Sequence, residues 1–400
     1  MKIADGLVHE VGMVTRATPS QVCQNKGSPA ARRRYEEAFL DLELVGPPKT
    51  WAKVSMFIKV EKWDEAMVHY KPPRAIQFRS YKYCAELSTY LLPIEQNLWK
   101  FVVPSTGLCP FAKHMNTFKV ASTLLEMADQ FNDPVFILAD HSKFDSCVTL
   151  PWISLEHNFY LACHDGDELL DGLMTLQYDN ICYSKNGIKY KCLARKMSGD
   201  YNTSLGDTLI NFCILRDVFR EVKHCLLING DDSVICIERS DLNRVDLSPE
   251  NWKAYGFKTT WSVVDEMEQV DFCQAHPVEI RPGVWRMVRE PTRAISRSLV
   301  SVKRYEGRAW LALVAAIGQS EMACGDGVPM MQAHAQMFMR AACGVSPLAG
   351  EINRRARLEA IAVPAARTVT DVARASFRRA FGIDEAEQLA YEGHCDQRVP

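Results

Sequence analysis

The chain predicts an α+β fold, and three observations carry that reading. Between residues 134 and 275, short apolar strand-like runs alternate with helical patterns. Past about residue 280 the pattern turns strongly helical. The 400 residues are 47% hydrophobic, with little Gly plus Pro and no tandem repeat, which describes a globular chain suited to a large multi-lobed architecture.

Taken in order, the first 133 residues begin polar and carry the basic run Ala31-Arg-Arg-Arg34. Further on, Phe57-Ile-Lys59-Val-Glu-Lys62 and Lys71-Pro-Pro-Arg74-Ala-Ile-Gln-Phe-Arg79 set positive charge on an extended, proline-stiffened path. Arginine forks and lysine point charges match phosphate oxygens, so this stretch suits a wall gripping a triphosphate. A charge cluster is usually a solvated surface, and taken alone this stretch favours that reading.

Residues 134–140, Pro-Val-Phe-Ile-Leu-Ala-Asp, form a strand-like run ending on Asp140, and His-Ser-Lys-Phe-Asp145 follows. An acid at the carboxyl end of a buried strand sits where ligands gather in sheet proteins. The alternative is a capping Asp140 and a solvated Asp145. Next, Met197-Ser-Gly-Asp-Tyr-Asn-Thr-Ser-Leu-Gly-Asp207 runs into the helical pattern from Thr208. Ser198-Gly199 reads as a flexible lead-in, with small hydroxyl and amide residues at a helix start, able to approach a sugar or base closely.

The most informative segment is Leu226-Leu-Ile-Asn-Gly-Asp-Asp-Ser-Val-Ile-Cys-Ile237. Two strand-like runs meet at Asn-Gly, with Asp231 and Asp232 held out at the bend. Adjacent carboxylates repel, and Mg²⁺, which takes hard oxygen ligands and keeps waters and phosphates in its shell, is the natural cation to share them. A plain polar turn is the alternative. If the 134–140 strand lies beside this hairpin, Asp140 faces Asp231 across a gap suited to two metals. Lys258, in Gly256-Phe-Lys-Thr, follows a turn. Beyond it, Ala309–Gly318 reads as a buried helix. Residues 351–359 and 373–381 read as amphipathic helices with arginines on one side, and the tail after Ile383 as acidic and flexible.

A formal charge of −2 excludes a generally basic nucleic-acid coat but leaves room for a local positive stripe. The fourteen cysteines are scattered, with no Cys-x-x-Cys pair. Cys147, Cys163, Cys213, Cys225 and Cys236 fall in apolar runs and read as small core residues, as in a reducing compartment. Cys273-Gln-Ala-His276 has ligand-like spacing, yet without a second pair the weight falls against zinc. No secretory leader is visible, and no apolar run reaches the roughly 18–20 residues a bilayer span needs.

In this order, Lys71-Pro-Pro-Arg74-Ala-Ile-Gln, Asp140-x-Ser-Lys-Phe-Asp145, Ser198-Gly-Asp-Tyr-Asn-Thr-Ser-Leu-Gly206, Gly230-Asp-Asp and Asp271-Phe-Cys-Gln274 resemble the motifs of RNA-dependent RNA polymerases of positive-strand RNA viruses, closest to the tombusvirus-like group. His276-Pro-Val278 and Trp285-Arg-Met-Val-Arg289 extend the match. The resemblance implies a right-hand fold: fingers over 1–133, with the basic stretch 57–79; a palm over 134–275, with a fingers insertion about 150–195; and a thumb and C-terminal tail over 276–400. It implies Asp140 and Asp231 as the metal-binding pair with Asp232 supporting, two Mg²⁺ ions with Mn²⁺ able to substitute, and Asp145 reading the incoming ribose. Ser198, Gly199, Asn202 and Thr203 would hold the template and assist sugar selection. Lys59, Lys62, Lys71 and Arg74 would neutralise the triphosphate, and Phe272, Cys273 and Gln274 would grip the primer or nascent strand. Lys258 falls where such enzymes often carry a general acid for pyrophosphate.

One position departs from the pattern. The family usually places asparagine where this chain has Asp207, and an ionised Asp only accepts hydrogen bonds. Beside Asp145, a second carboxylate raises one of the two pKa values or calls for a cation.

The implied partners are RNA template and nascent RNA, ribonucleoside triphosphates and other viral replication proteins. The implied setting is the host cytoplasm, at membrane-associated complexes reached through another viral protein or a missing segment. Primer-independent initiation is the family expectation. Two rivals compete. A reverse transcriptase is disfavoured by Gly230 before the aspartates and by the Ser-Gly…Asn-Thr element. A non-catalytic RNA-binding protein should have lost a metal ligand, yet all three aspartates stand.

Overall fold

The computed structural model describes residues 2–62, 69, 70, 72–352, 359 and 367–397. Its strands are β1 (Val54–Ile58), β2 (Ala75–Phe78), β3 (Pro134–His141), β4 (Asp179–Ser184), β5 (Lys189–Leu193), β6 (His224–Asn229), β7 (Asp232–Glu238), β8 (Thr259–Val264), β9 (Ala275–Arg281) and β10 (Val284–Arg289). They form three sheets, in the orders β2-β1-β4-β5, β6-β7-β3-β8 and β10-β9. With helices packed throughout, the fold is α+β, as the sequence predicts.

The sheet β6-β7-β3-β8 is antiparallel, and its strands β3, β6 and β7, unlike the more exposed edge strand β8, read as largely apolar runs. Side chains alternate between its faces, and both faces are covered. Val135, Ile137, Ile235 and Ile237 join the largest core with the helices Tyr81–Leu98, Leu150–Cys163 and Thr203–Val218. Phe136, Leu227, Val234 and Cys236 face the other way, against Ala121, Leu124 and Met127 of helix Thr117–Ala128.

Residues 150–195 leave this sheet. After two helices, β4 pairs in parallel with β1 and carries β5 beside it. β1 and β2 are antiparallel, with Ile58 opposite Ala75, which brings Lys59 N to Arg74 O at 2.8 Å.

Three expectations change. The helical region starts later than about residue 280, because β10 runs to Arg289. The tail after Ile383 is a helix, Glu385–Gln397, rather than a loose segment. Its acids face a basic neighbour: Glu392 pairs with Arg374 at 2.8 Å, Tyr391 Oη meets His334 Nδ1 at 2.8 Å, and Gln388 and Cys395 are buried. Cys147 is half-buried at the end of a four-residue helix, whereas Cys163, Cys213, Cys225 and Cys236 are buried as expected. Of the arginines on helix Asp371–Phe381, Arg374 pairs with Glu392 and the exposed Arg379 with Glu268 at 2.6 Å, while Arg378 lies on the surface. The amphipathic pattern at 351–359 lies mostly outside the described residues. Among the described residues, no helix is long and apolar enough to cross a membrane.

Candidate active site

The β6–β7 hairpin closes with Asn229 opposite Asp232, leaving Gly230-Asp231 as a two-residue turn. Gly230 takes φ +71° while Asp231 stays out of the left-handed region, the pattern of a hairpin turn with glycine at its first central position. Asp231 therefore sits at the turn, and Asp232 begins β7. On the neighbouring strand the ladder ends with Ala139 opposite Ser233, so Asp140 and Asp232 emerge side by side at the same end of the sheet.

Asp145 arrives by a different route. Lys143, at φ 55°, turns the chain after β3, and Phe144 is buried with its ring stacked on Phe257 at 4.6 Å between centroids. That anchor holds Asp145 close enough to raise the Asp231 carboxyl. Crowding by protein is the main cause of that rise, the charges of Asp145 and Asp140 add to it, and Arg74 opposes it. The Asp232 carboxyl is pushed up to about 6 by partial loss of hydration and by Asp231, against a hydrogen bond from the Cys273 thiol. Asp140, Asp231 and Asp232 are nevertheless solvent-exposed, so a diffusing ion can reach them. Four acids thus converge from three elements, and among them the Asp231 and Asp232 carboxyls are raised.

Such a set fits a hard divalent cation. Among the described residues, no three His, Cys, Asp or Glu side chains form a ready-made metal cage. Mg²⁺ does not require one, since it binds through one or two carboxylates and completes its shell with water and phosphate. The residues present fit that mode.

Arg74, just before β2, faces this cluster, drawn by Asp145 and Asp231, but its fork is held by Glu61, with Nε at 3.0 Å. Lys59 pairs with the same carboxylate at 3.2 Å. Glu61 is held down at about 2, first by the hydrogen bond from Arg74. Lys62 instead donates to the Arg297 carbonyl at 2.8 Å, a link across 235 residues. Lys71 lies outside the described residues. Lys258 is exposed just before β8, its carbonyl accepting from Ser142 N at 2.9 Å, next to the strand end that carries Asp140.

The loop before helix Thr203–Val218 is tight rather than flexible. Gly199 donates to Gln77 O at 2.8 Å, and a Cβ there would come within 2.9 Å of that oxygen and of Phe78 Cβ. Ser198 Oγ lies 3.4 Å from Gln77 N. Asn202 is turned inward, donating to Glu156 at 2.7 Å, and Thr203 donates to Met197 O at 2.6 Å. Asp207 is buried beside Asp145.

Phe272, Cys273 and Gln274 line a cavity of about 640 Å³, with Lys62, Arg289, Arg293 and Arg297 on its other walls. Cys273 and Gln274 both adopt positive φ, 54° and 59°, in a turn closed by two bonds between Phe272 and Ala275. Two successive non-glycine residues in that region are costly and cluster at functional sites. His276 Nδ1 lies 3.0 Å from Glu268 O, and its ring packs edge-on against Phe381 at 5.3 Å.

Sequence reasoning missed the polar layer beneath the site. Arg79 pairs with Asp200 and Asn180, Lys196 pairs with Glu156, and Asn211 and Thr208 grip the Gly230-Asp231 turn. Polar residues with no repeated spacing give no signal until the fold gathers them.

Comparison with known proteins now bears on this geometry. The family model for viral RNA dependent RNA polymerase matches residues 1–398. Relatives named RNA-directed RNA polymerase include that of Carnation mottle virus, 32% identical over 90% of this chain and 48% of the relative. That of Cucumber necrosis virus is 32% identical over 92% and 46%, and that of Pothos latent virus 30% over 97% and 54%. The chain spans about half the length of the curated relatives it matches.

Proposed function

The chain belongs to the viral RNA-dependent RNA polymerase family, and from that premise we propose that it joins ribonucleotides on an RNA template, closest in kind to the tombusvirus-like group. The observation that carries this reading is the convergence of Asp140, Asp145, Asp231 and Asp232 at one sheet end, with Arg74 facing them.

In the reaction, the 3′-hydroxyl of the growing RNA attacks the α-phosphate of an incoming nucleotide, and pyrophosphate leaves. Asp140 and Asp231, with Asp232 supporting, would hold two Mg²⁺ ions, for which Mn²⁺ could substitute. When bound, such ions draw the reacting oxygens together and offset phosphate charge. The protein's own groups do the rest. The hairpin fixes two of the carboxylates rigidly, Arg74 and Lys59 offer cations to the triphosphate, and Asp145 meets the ribose. Phe272, Cys273 and Gln274 lie along the cavity that would take the nascent strand, and Lys258 stands ready to protonate the leaving pyrophosphate.

Residues 1–133, 134–275 and 276–400 serve as fingers, palm and thumb with tail. Initiation is primer-independent, and the working partners are template RNA, nucleoside triphosphates and other viral replication proteins, at host cytoplasmic membranes reached through another protein. The test is extension of a defined RNA template with Mg²⁺ beside the Asp231→Ala protein. Incorporation by the parent and its loss in the variant, with RNA binding retained, is the expected result. Equal incorporation by both would overturn the assignment.

A further inference from the structure

The loop 198–203 is pinned at Gly199 by Gln77 and Phe78, at Asp200 by Arg79 and at Asn202 by Glu156. Tyr201 meets a different part of the chain. Its Oη donates to Glu95 Oε2 at 3.3 Å, and the Lys26 ammonium lies over its ring, 4.6 Å from the centroid. Lys26 comes from the short turn between helices Pro19–Gln24 and Pro29–Val45. The same ammonium lies 3.7 Å from the ring centroid of Tyr35, a buried residue of the second helix that packs edge-on against Tyr81 at 6.1 Å.

A tyrosine ring is negative over its face, so a cation within about 6 Å of the centroid is attracted. Two rings from separate segments share one ammonium here, and removing the charge loosens both. An apolar side chain would fill the gap without the cost of half-burying a cation, so charge is what Lys26 adds. Glu95 and Cys84 of helix Tyr81–Leu98 and Cys23 of helix Pro19–Gln24 also act on it, and Lys113 acts in turn on Glu95. Burial lowers the Lys26 pKa from the ordinary 10.5 to about 8, against the pull of Glu95 and the two thiols. Burial raises the phenols of Tyr35 and Tyr201 and the thiol of Cys23, and pushes Cys84 up to about 11. Of these amine, thiol and phenol groups, Lys26 alone changes charge near pH 8, protonated below and neutral above.

We propose that Lys26 is a positioning residue for template binding: its ammonium, clasped between the rings of Tyr35 and Tyr201, holds the loop 198–203 against the N-terminal helices. This rests on the polymerase reading above. Lys26 touches neither the aspartates nor the nucleotide, and it acts on the loop through Tyr201 alone. Loss of the cation therefore weakens the grip on RNA and leaves the handling of nucleotides as it was.

The test compares the full chain with Lys26→Met, which keeps the bulk and loses the charge, and with Lys26→Arg, which keeps the charge at every pH. At about pH 7, amide hydrogen exchange over residues 198–206 should quicken roughly tenfold in Lys26→Met. KM for template RNA should rise by about tenfold with KM for nucleotides unchanged, while Lys26→Arg stays with the parent. Between about pH 7 and 9.5 the parent's template KM should climb toward the Lys26→Met value, and that of Lys26→Arg should stay flat. Parent-like exchange and template KM in Lys26→Met overturn the proposal, as do parallel pH profiles in the parent and Lys26→Arg. If Lys26→Met fails to fold, the comparison of the parent with Lys26→Arg still decides. Should the parent extend no template at any pH, the polymerase reading fails. Exchange in the loop, parent against Lys26→Arg at each pH, then still decides whether the Lys26 charge holds it.

Discussion

Asn211 donates its side-chain amide to the carbonyl oxygen of Asp231 at 3.2 Å, and the same amide reaches the Gly230 carbonyl at 3.0 Å. Its other end, Oδ1, faces His141 Nε2 at 3.2 Å, while His141 Nδ1 lies 2.8 Å from Thr259 Oγ1. Burial keeps His141 neutral. A neutral ring donating to Asn211 and accepting from Thr259 satisfies every partner. One fully buried amide therefore braces the turn carrying Asp231 against the strand carrying Asp140.

Replacing Asn211 with alanine strips partners from two carbonyls and a histidine at once. The expected cost is about 1–3 kcal/mol in urea unfolding, the usual penalty for orphaning buried polar groups. Loosening the turn by about 1 Å should also lower nucleotide incorporation by roughly 10²-fold. Unchanged turnover in a folded Asn211→Ala protein would show that the turn keeps its shape without the brace.

Gly206 makes a second prediction. A Cβ there would collide with the carboxylate of Glu156 and the ammonium of Lys196, an ion pair sealed under helix Thr203–Val218. The pair cannot swing into solvent, so Gly206→Ala has to split or displace it. The expected loss is about 3–5 kcal/mol, the cost of breaking a buried pair. Gly172, on helix Glu168–Thr175 with open space around its Cα, is the control. Its alanine variant should gain roughly 0.5–1 kcal/mol from helix propensity alone.

These two residues also mark where the sequence is legible. The hairpin, strand β3 and the apolar helices announce themselves, because period and turn chemistry are local properties. Asp140 and Asp231 could be paired from sequence once the strands carrying them were taken as neighbours. Gly206 could not be explained, because its reason is an ion pair from two other segments. The Ser198-Gly199 lead-in reads as flexible for the same cause: glycine implies freedom in sequence, whereas close packing on Gln77 and Phe78 demands its small size. Glu61 sat within the basic stretch without its hold on Arg74 and Lys59 being visible.

His157 supplies a pH-dependent prediction. It is buried, and burial lowers its pKa from the ordinary 6.5 to about 4. The unfolded chain therefore binds a proton that the folded chain refuses between those values. The resulting stability is intact above about pH 6.5 and is lost as the pH falls toward 4, by on the order of 3 kcal/mol. Asp207, Asp231 and Asp232, whose pKa values are raised, pull the other way, so the total curve hides the effect. The difference between the parent and His157→Gln isolates it. The variant should gain on the parent by about that amount between pH 7 and pH 4, measured by urea unfolding. A constant difference would mean that His157 titrates normally in the folded state.

The last prediction concerns the acid that occupies Arg74. Glu61 accepts from Arg74 Nε at 3.0 Å and pairs with Lys59 at 3.2 Å, so both cations proposed for the triphosphate are already engaged by a carboxylate. The groups are partly exposed, and pairs of that kind add only about 0–1 kcal/mol to stability. Glu61→Gln should therefore melt within a degree or two of the parent. The nucleotide, however, no longer has to displace a carboxylate from the arginine fork. KM for ribonucleoside triphosphates should fall by about threefold with kcat little changed, the signature of altered uniform binding. The gain should shrink in high salt, where screening weakens the competing pair in the parent. A rise in KM would reverse the reading: Glu61 would then be holding Arg74 in the posture that receives the phosphate, rather than standing in its place.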